Sequence, residues 1–271
     1  IQQDELKKIY GIANPPVDLL VNRNLPITYT PLGTKGMFHG KTISIYNDKL
    51  AVSGSYLDSG VVYIYQDADQ NGNYVLIHEV IVPGDFSEYL PIVEMNEDEL
   101  FVANPTVISN PKIFVYDIKN SNVLTISNHT EIACPIEVKA KGFGSSMSVN
   151  ADGNILVVGN PTQYITKSGN IDHYNTGDVD YPTGAVYIYR KSGNVWSHVQ
   201  TIFPSDLDEY VQKDANQGNE SDIHFGHSVN ILNNDLLIGS PRAYSSSTNR
   251  RTGCVYVYTE TNNNFVFNNK I

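Results

Sequence analysis

The segment DADQNGNY at 67–74 has the clearest ligand spacing in the chain. Asp67, Asp69 and Asn71 alternate along it, and Gly72 follows at the sixth position. Short calcium loops offer oxygens in this way around a sharp turn. No acidic residue stands at the last ligand position; Glu79 comes one residue late. The same segment also reads as a polar hairpin turned at Asn71-Gly72. Calcium is therefore the one cofactor suggested by the residues, with the plain hairpin as its alternative. His224 and His227 flank Phe225-Gly226 at a spacing that could serve a metal, but a structural role is the stronger reading. No CxxC, HExxH, GxSxG or phosphate-loop pattern occurs, and no nucleophile, base and orienter stand out together. The expectation is a protein that is not an enzyme. Asn128-His129-Thr130 and Asn219-Glu220-Ser221 are N-glycosylation sequons in predicted turns or loops, making Asn128 and Asn219 possible acceptors.

Elements that could position such residues follow from a repeat. GVVYIY at 60–65, GAVYIY at 184–189 and GCVYVY at 253–258 are near copies, and PKIFVY at 111–116 is a fourth. They recur at intervals of 51, 73 and 69 residues, and a repeat outranks any local reading. Upstream of each lies an aromatic with glycine or a relic of it, an apolar run, a polar turn and a second apolar run. Downstream come another turn and a last apolar stretch. The unit holds four short strands. Asn-Gly at 71–72 and Asp-Gly at 152–153 are hairpin signals, and Val, Ile, Tyr and Phe dominate the runs. Runs such as ILVVG and VVYIY hardly alternate, so both of their faces should be covered. Four-stranded antiparallel units covered on both faces are the blades of a β-propeller, with Tyr rings filling the space between blades and their hydroxyls at a rim.

The motifs FGSSM at 143–147 and FGHSV at 225–229, LVVGNP at 156–161 and LLIGSP at 236–241, and the hexapeptides resemble the FG-GAP repeat of integrin-α-like propellers. The resemblance is closest to the variant found in secreted microbial surface proteins. It is strong over 142–204 and 225–271, fair over 36–85 and weak over 86–141. It implies an all-β propeller with blades at 36–85, 86–141, 142–222 and 223–271. Residues 1–35 would be a decayed or partial N-terminal blade, and the whole a portion of a larger ring, up to seven-bladed. Members often carry an Asp-rich calcium loop between the first two strands. Here those turns read YNDK, NEDE, NADGN and LNND, which lack the alternating oxygens, so calcium is not carried over to them. Trp196 takes the family's fourth-strand aromatic position and is expected to pack in the core.

Loop lengths point to a binding end. The first-to-second-strand turns are all tight, whereas the connections at 162–183, 204–224 and 242–252 are long. In a blade these emerge on one face, and long loops on a rigid scaffold commonly carry binding. Tyr164, His173, Tyr174, Tyr181 and Tyr210 offer aromatic surface there, and Arg242, Arg250 and Arg251 offer cations.

The net charge of −11 and pI near 5.0 argue against a nucleic-acid partner. No stretch approaches the length of a membrane-spanning helix, and no signal peptide is visible. Two cysteines do not make a disulfide scaffold. A whole blade separates Cys134 from Cys254, so they should not pair. The expected function is a non-catalytic interaction or structural module, extracellular or at the cell surface within an adhesion assembly, holding a protein partner. A carbohydrate- or small-ligand-binding propeller is the alternative, and a propeller enzyme ranks third.

Overall fold

The computed structural model describes residues 39–56, 59–67, 70–83, 90–107, 110–119, 129–135, 142–163, 183–206, 223–244 and 251–271. Residues 1–35, read above as a decayed blade, lie outside them. All regular structure among the described residues is β-strand. Sheet 1 holds β1 (His39–Tyr46), β2 (Lys49–Tyr56), β3 (Ser59–Asp67) and β4 (Tyr74–Val82). Sheet 2 holds β5 (Ile92–Met95), β6 (Glu99–Ala103), β7 (Lys112–Asp117) and β8 (Thr130–Ala133). Sheet 3 holds β9 (Ser146–Val149), β10 (Ile155–Asn160), β11 (Ala185–Ser192) and β12 (Val195–Ile202). Sheet 4 holds β13 (Ser228–Leu232), β14 (Asp235–Ser240), β15 (Cys254–Thr261) and β16 (Asn264–Lys270). Within every sheet the strands pair antiparallel in chain order.

The hexapeptides form the third strands, in one register. Tyr63 pairs with Val52, Phe114 with Val102, Tyr187 with Val158 and Tyr256 with Ile238. A bulge falls between the Ile (or Val) and the second Tyr of the hexapeptide in sheets 1, 3 and 4, leaving Ile77, Val199 and Asn268 as the extra residue on the fourth strand. Tight asparagine turns close the hairpins. Asn47 and Asn233 take positive φ between first and second strands, and Asn262 and Asn263 between β15 and β16.

Successive sheets pack through their faces. Ala51, Val62 and Ile64 of sheet 1 meet Val93, Leu100, Val102 and Tyr116 of sheet 2 in one buried cluster. Phe101, Ile113 and Val115 meet Leu156, Val158, Tyr187 and Tyr189 in the next. Val157, Val186 and Ile188 meet Leu236, Ile238, Tyr256 and Tyr258 in the third. The first strands also adjoin in series: β1 lies against β5, β5 against β9, and β9 against β13. Trp196, expected in the core, is half-buried at its edge and packs edge-on against Phe101, centroids 5.5 Å apart.

Tyrosine hydroxyls latch sheet 3 to sheet 2 and sheet 4 to sheet 3. Tyr189 donates to the Ala133 carbonyl at 2.9 Å, and its counterpart Tyr258 donates to the Phe203 carbonyl at 3.0 Å. Tyr258→Phe keeps the ring and removes the latch, so it should cost about 1 kcal/mol in thermal unfolding; an unchanged melting temperature would show that the bond contributes nothing.

Coverage of both faces of the hexapeptides implies burial of Val62, Ile64, Val186, Ile188, Val255 and Val257 between strands or blades. The first four are fully buried. Val255 is 36% exposed and Val257 half-buried, because no described sheet covers that face of sheet 4. Cys134 and Cys254 do not form a disulfide with each other.

Candidate functional site

The two ends of the sheets are built differently. At one end lie the short turns. Tyr46, Asn96, Asp98, Asp152 and Asn154 from the first-to-second-strand turns of sheets 1 to 3 line a cleft of about 240 Å³ with Lys191. Asparagine side-chain oxygens organise two of these turns. Asn96 Oδ1 accepts from the Asp98 and Glu99 amides at 2.9 and 2.7 Å, and Asn150 Oδ1 accepts from Asn154 and Ile155 at 2.9 and 2.8 Å. A neighbouring cleft of about 390 Å³ lies between sheets 3 and 4, lined by Asn154, Asn233, Asn234, Arg190 and Glu260. Arg190 Nη2 pairs there with the Glu260 carboxylate and donates to the Asn263 carbonyl at 3.1 Å.

The other end carries the long connections. Tyr164, His173, Tyr174, Tyr181, Tyr210 and Arg250 lie outside the described residues. Arg242 and Arg251 lie within them, both exposed, on the connection from β14 to β15. The base of that connection is ordered by hydrogen bonds. The Thr252 and Gly253 amides donate to the Ala243 carbonyl at 3.1 and 3.0 Å, and Tyr244 and Arg251 form a bridge. Arg251 Nε donates to the Tyr244 hydroxyl at 3.0 Å, with the guanidinium 5.5 Å from the ring centroid. This fixes a cation over an aromatic face. Beside it, Asp206 ties three elements. It accepts from Lys270 Nζ at 2.6 Å and from the Tyr256 hydroxyl at 2.7 Å, and Lys270 lies 5.1 Å from the Tyr256 ring centroid. The 204–224 connection thus leaves sheet 3 anchored to the end of sheet 4.

Of the candidate calcium ligands, Asp67 and Asn71 are described and Asp69 is not. Asp67 Oδ2 accepts from the Gly72 amide at 2.9 Å, and Gly72 has φ of 83°. The Asp67 carboxylate therefore caps the β3–β4 hairpin, which is the plain-turn reading. Its Oδ1 is enclosed without a hydrogen bond. No cluster of three His, Cys, Asp or Glu groups arranged for a metal occurs among the described residues. His224 and His227 stack with rings 6.2 Å apart and only 4° from parallel, at the start of β13. Asn128 and Asn219, the sequon residues, lie outside the described residues.

One titratable group went unnoticed in the sequence. Glu94 on β5 spans three first strands: the Ser44 hydroxyl of β1 donates to its Oε2 and the Val149 amide of β9 to its Oε1, each at 3.3 Å. Burial pushes its carboxyl up to about 7 despite these bonds. Its signal was a lone carboxylate in the apolar run PIVEM. Asp206, Lys270 and Tyr244 were equally unmarked, since each gains meaning only from partners distant in sequence.

Compared with known families and curated proteins, the chain matches no family model and no curated protein. No helix among the described residues is long and apolar enough to cross a membrane.

Proposed function

We propose that the chain is part of a β-propeller that acts as a non-catalytic, extracellular interaction module, gripping a protein partner with its long-connection end. The observation that carries this is the asymmetry of the two ends. Short, internally hydrogen-bonded turns close one. The other presents long connections rooted on the Arg251–Tyr244 and Asp206–Lys270–Tyr256 anchors. Sheets stacked by their faces, with first strands adjoining in series, are the arrangement a propeller requires. In a chain of net charge −11, exposed Arg242 and Arg251 form a local cationic patch suited to acidic side chains of a partner. The two sequons and the resemblance to secreted surface proteins support an extracellular setting.

The alternative of a glycan or small polar ligand is favoured by one feature: the cleft where Asn154, Asn233 and Asn234 offer amides beside the Arg190–Glu260 pair. One experiment separates the readings. The protein is screened against displayed extracellular proteins and a glycan array, together with R242E/R251E and N233D/N234D variants. The expected result is saturable protein binding, weakened roughly tenfold or more by R242E/R251E, the loss of two interface cations, and untouched by N233D/N234D. Glycan binding abolished by N233D/N234D would replace the proposal with its alternative.

A further inference from the structure

The open face of sheet 4 repeats, position for position, the faces that sheets 1, 2 and 3 bury. Ala51 pairs with Ile64, Phe101 with Val115 and Val157 with Ile188; Leu237 pairs with Val257 in the same register. Val62, Ile113 and Val186 stand two residues earlier on the third strands, where sheet 4 has Val255. In sheets 1 to 3 all these residues are at most 3% exposed, because the next sheet covers them. In sheet 4 Leu237 is 38% and Val255 36% exposed, with Leu232 and Val266 beside them at 65% and 53%. A face selected for water would carry polar residues at every second position of its strands. This one keeps the apolar residues of an interface.

The polar stitch between first strands runs on in the same way. Glu94, paired with Phe101, accepts the Val149 amide of the following sheet. Ser148, paired with Val157, accepts the Ile231 amide of the following sheet at 3.2 Å. Asn230, paired with Leu237, stands at the next equivalent position and is exposed. Its side-chain carbonyl can accept the corresponding amide of one more first strand.

We propose that this face is a docking surface for a fifth four-stranded antiparallel sheet, added in series after β16. The incoming sheet would bring what sheets 2, 3 and 4 each bring: two large aliphatics on its second strand and two aromatics on its third. Leu100 and Val102 with Phe114 and Tyr116 are the pattern in sheet 2, and Leu236 and Ile238 with Tyr256 and Tyr258 in sheet 4. The inference rests on the propeller reading of the scaffold and not on what the long-connection end binds.

The test compares the chain as it is with the chain extended after Ile271 by a second copy of residues 204–271. In the unextended chain Leu237→Asp should lower the melting temperature only modestly, because the side chain is 38% exposed. In the extended chain the same substitution buries an unpaired carboxylate and should lower it strongly. Alkylation of Leu237→Cys, in a background with Cys254→Ser, should slow about tenfold or more on extension, as local opening becomes necessary. Equal effects of Leu237→Asp in both chains, with unchanged alkylation, would overturn the proposal. So would a dimer of the unextended chain that Leu237→Asp dissociates, which would make a second copy the occupant. Faster alkylation on removal of residues 1–38 would overturn it too, in favour of the chain's own N-terminal segment.

Discussion

Gly184→Ala will disrupt the junction of sheets 3 and 4, whereas Gly193→Ala in the same sheet will be mild. Both glycines have positive φ, 91° and 60°. At Gly193 an added Cβ meets nothing within 4 Å, so only the left-handed conformation opposes it, at about 1 kcal/mol. At Gly184 the Cβ would lie 2.1 Å from the Phe225 carbonyl oxygen and 2.9 Å from its nitrogen. Both are backbone atoms locked in place: the Phe225 amide donates to the Thr183 carbonyl at 2.9 Å, and the Gly184 amide to the Gln163 carbonyl at 3.0 Å. Neither strand can retreat without opening the bridge that ties the two sheets. The cost should reach about 3 kcal/mol or more, a fall of roughly 6–12 °C or more in thermal unfolding. If Gly184→Ala does not fold, the mild loss in Gly193→Ala still isolates the steric cause. Equal, small losses in both would show that the close approach is absent. This contact accounts for the glycine that opens the hexapeptide at 184.

Glu94→Gln will raise the stability of the protein at pH 8 and flatten its dependence on pH between about 4.5 and 7. Glu94 titrates near 4.5 in an unfolded chain and about 7 in the folded one. Below about pH 4.5 it is neutral in both states and costs nothing. Between the two values the folded state holds a proton that the unfolded state has released, so stability falls as pH rises. Above about 7 a desolvated carboxylate remains, held among the described residues by Ser44 and Val149, and the accumulated loss is about 3 kcal/mol. Glutamine keeps an acceptor for the Val149 amide and removes the charge. The variant should therefore melt roughly 6–12 °C higher at pH 8 and differ little from the parent at pH 4. Parallel pH profiles for the two proteins would show that Glu94 is solvated or ionised throughout.

Much of this architecture was legible in the chain, for a physical reason. A hexapeptide buried on both faces leaves an unbroken apolar run, and four such runs at near-regular spacing announce four equivalent third strands. Val157 and Leu237 look alike in sequence for the same reason that they share a register. The same likeness hid a difference. Burial of Val255 was expected by analogy with Val186, but exposure depends on whether a neighbour is present, and no described sheet lies against that face. Glu94 escaped because Ser44 and Val149 lie 50 and 55 residues away. Tyr258 was legible as a rim hydroxyl, while its acceptor, the Phe203 carbonyl, was not, since backbone acceptors leave no trace in side-chain pattern. At the long-connection end, Arg242 and Arg251 were legible as cations. The Asp206–Lys270–Tyr256 anchor was not, because it joins residues 50 to 64 apart.

The propeller reading proposed above, in which the four sheets surround a common line with first strands innermost, is tested most directly by spin-label distances across the whole array. One pair of labels goes on exposed first-strand positions, Ile43→Cys with Leu232→Cys. Another goes on exposed fourth-strand positions, Ile77→Cys with Val266→Cys. Both are made in a background with Cys134→Ala and Cys254→Ser. Sheets radiating from an axis place the first-strand pair markedly closer than the fourth-strand pair. Equal distances would mean a flat stack of sheets, and a shorter fourth-strand distance would put the first strands outside; either result would contradict the propeller.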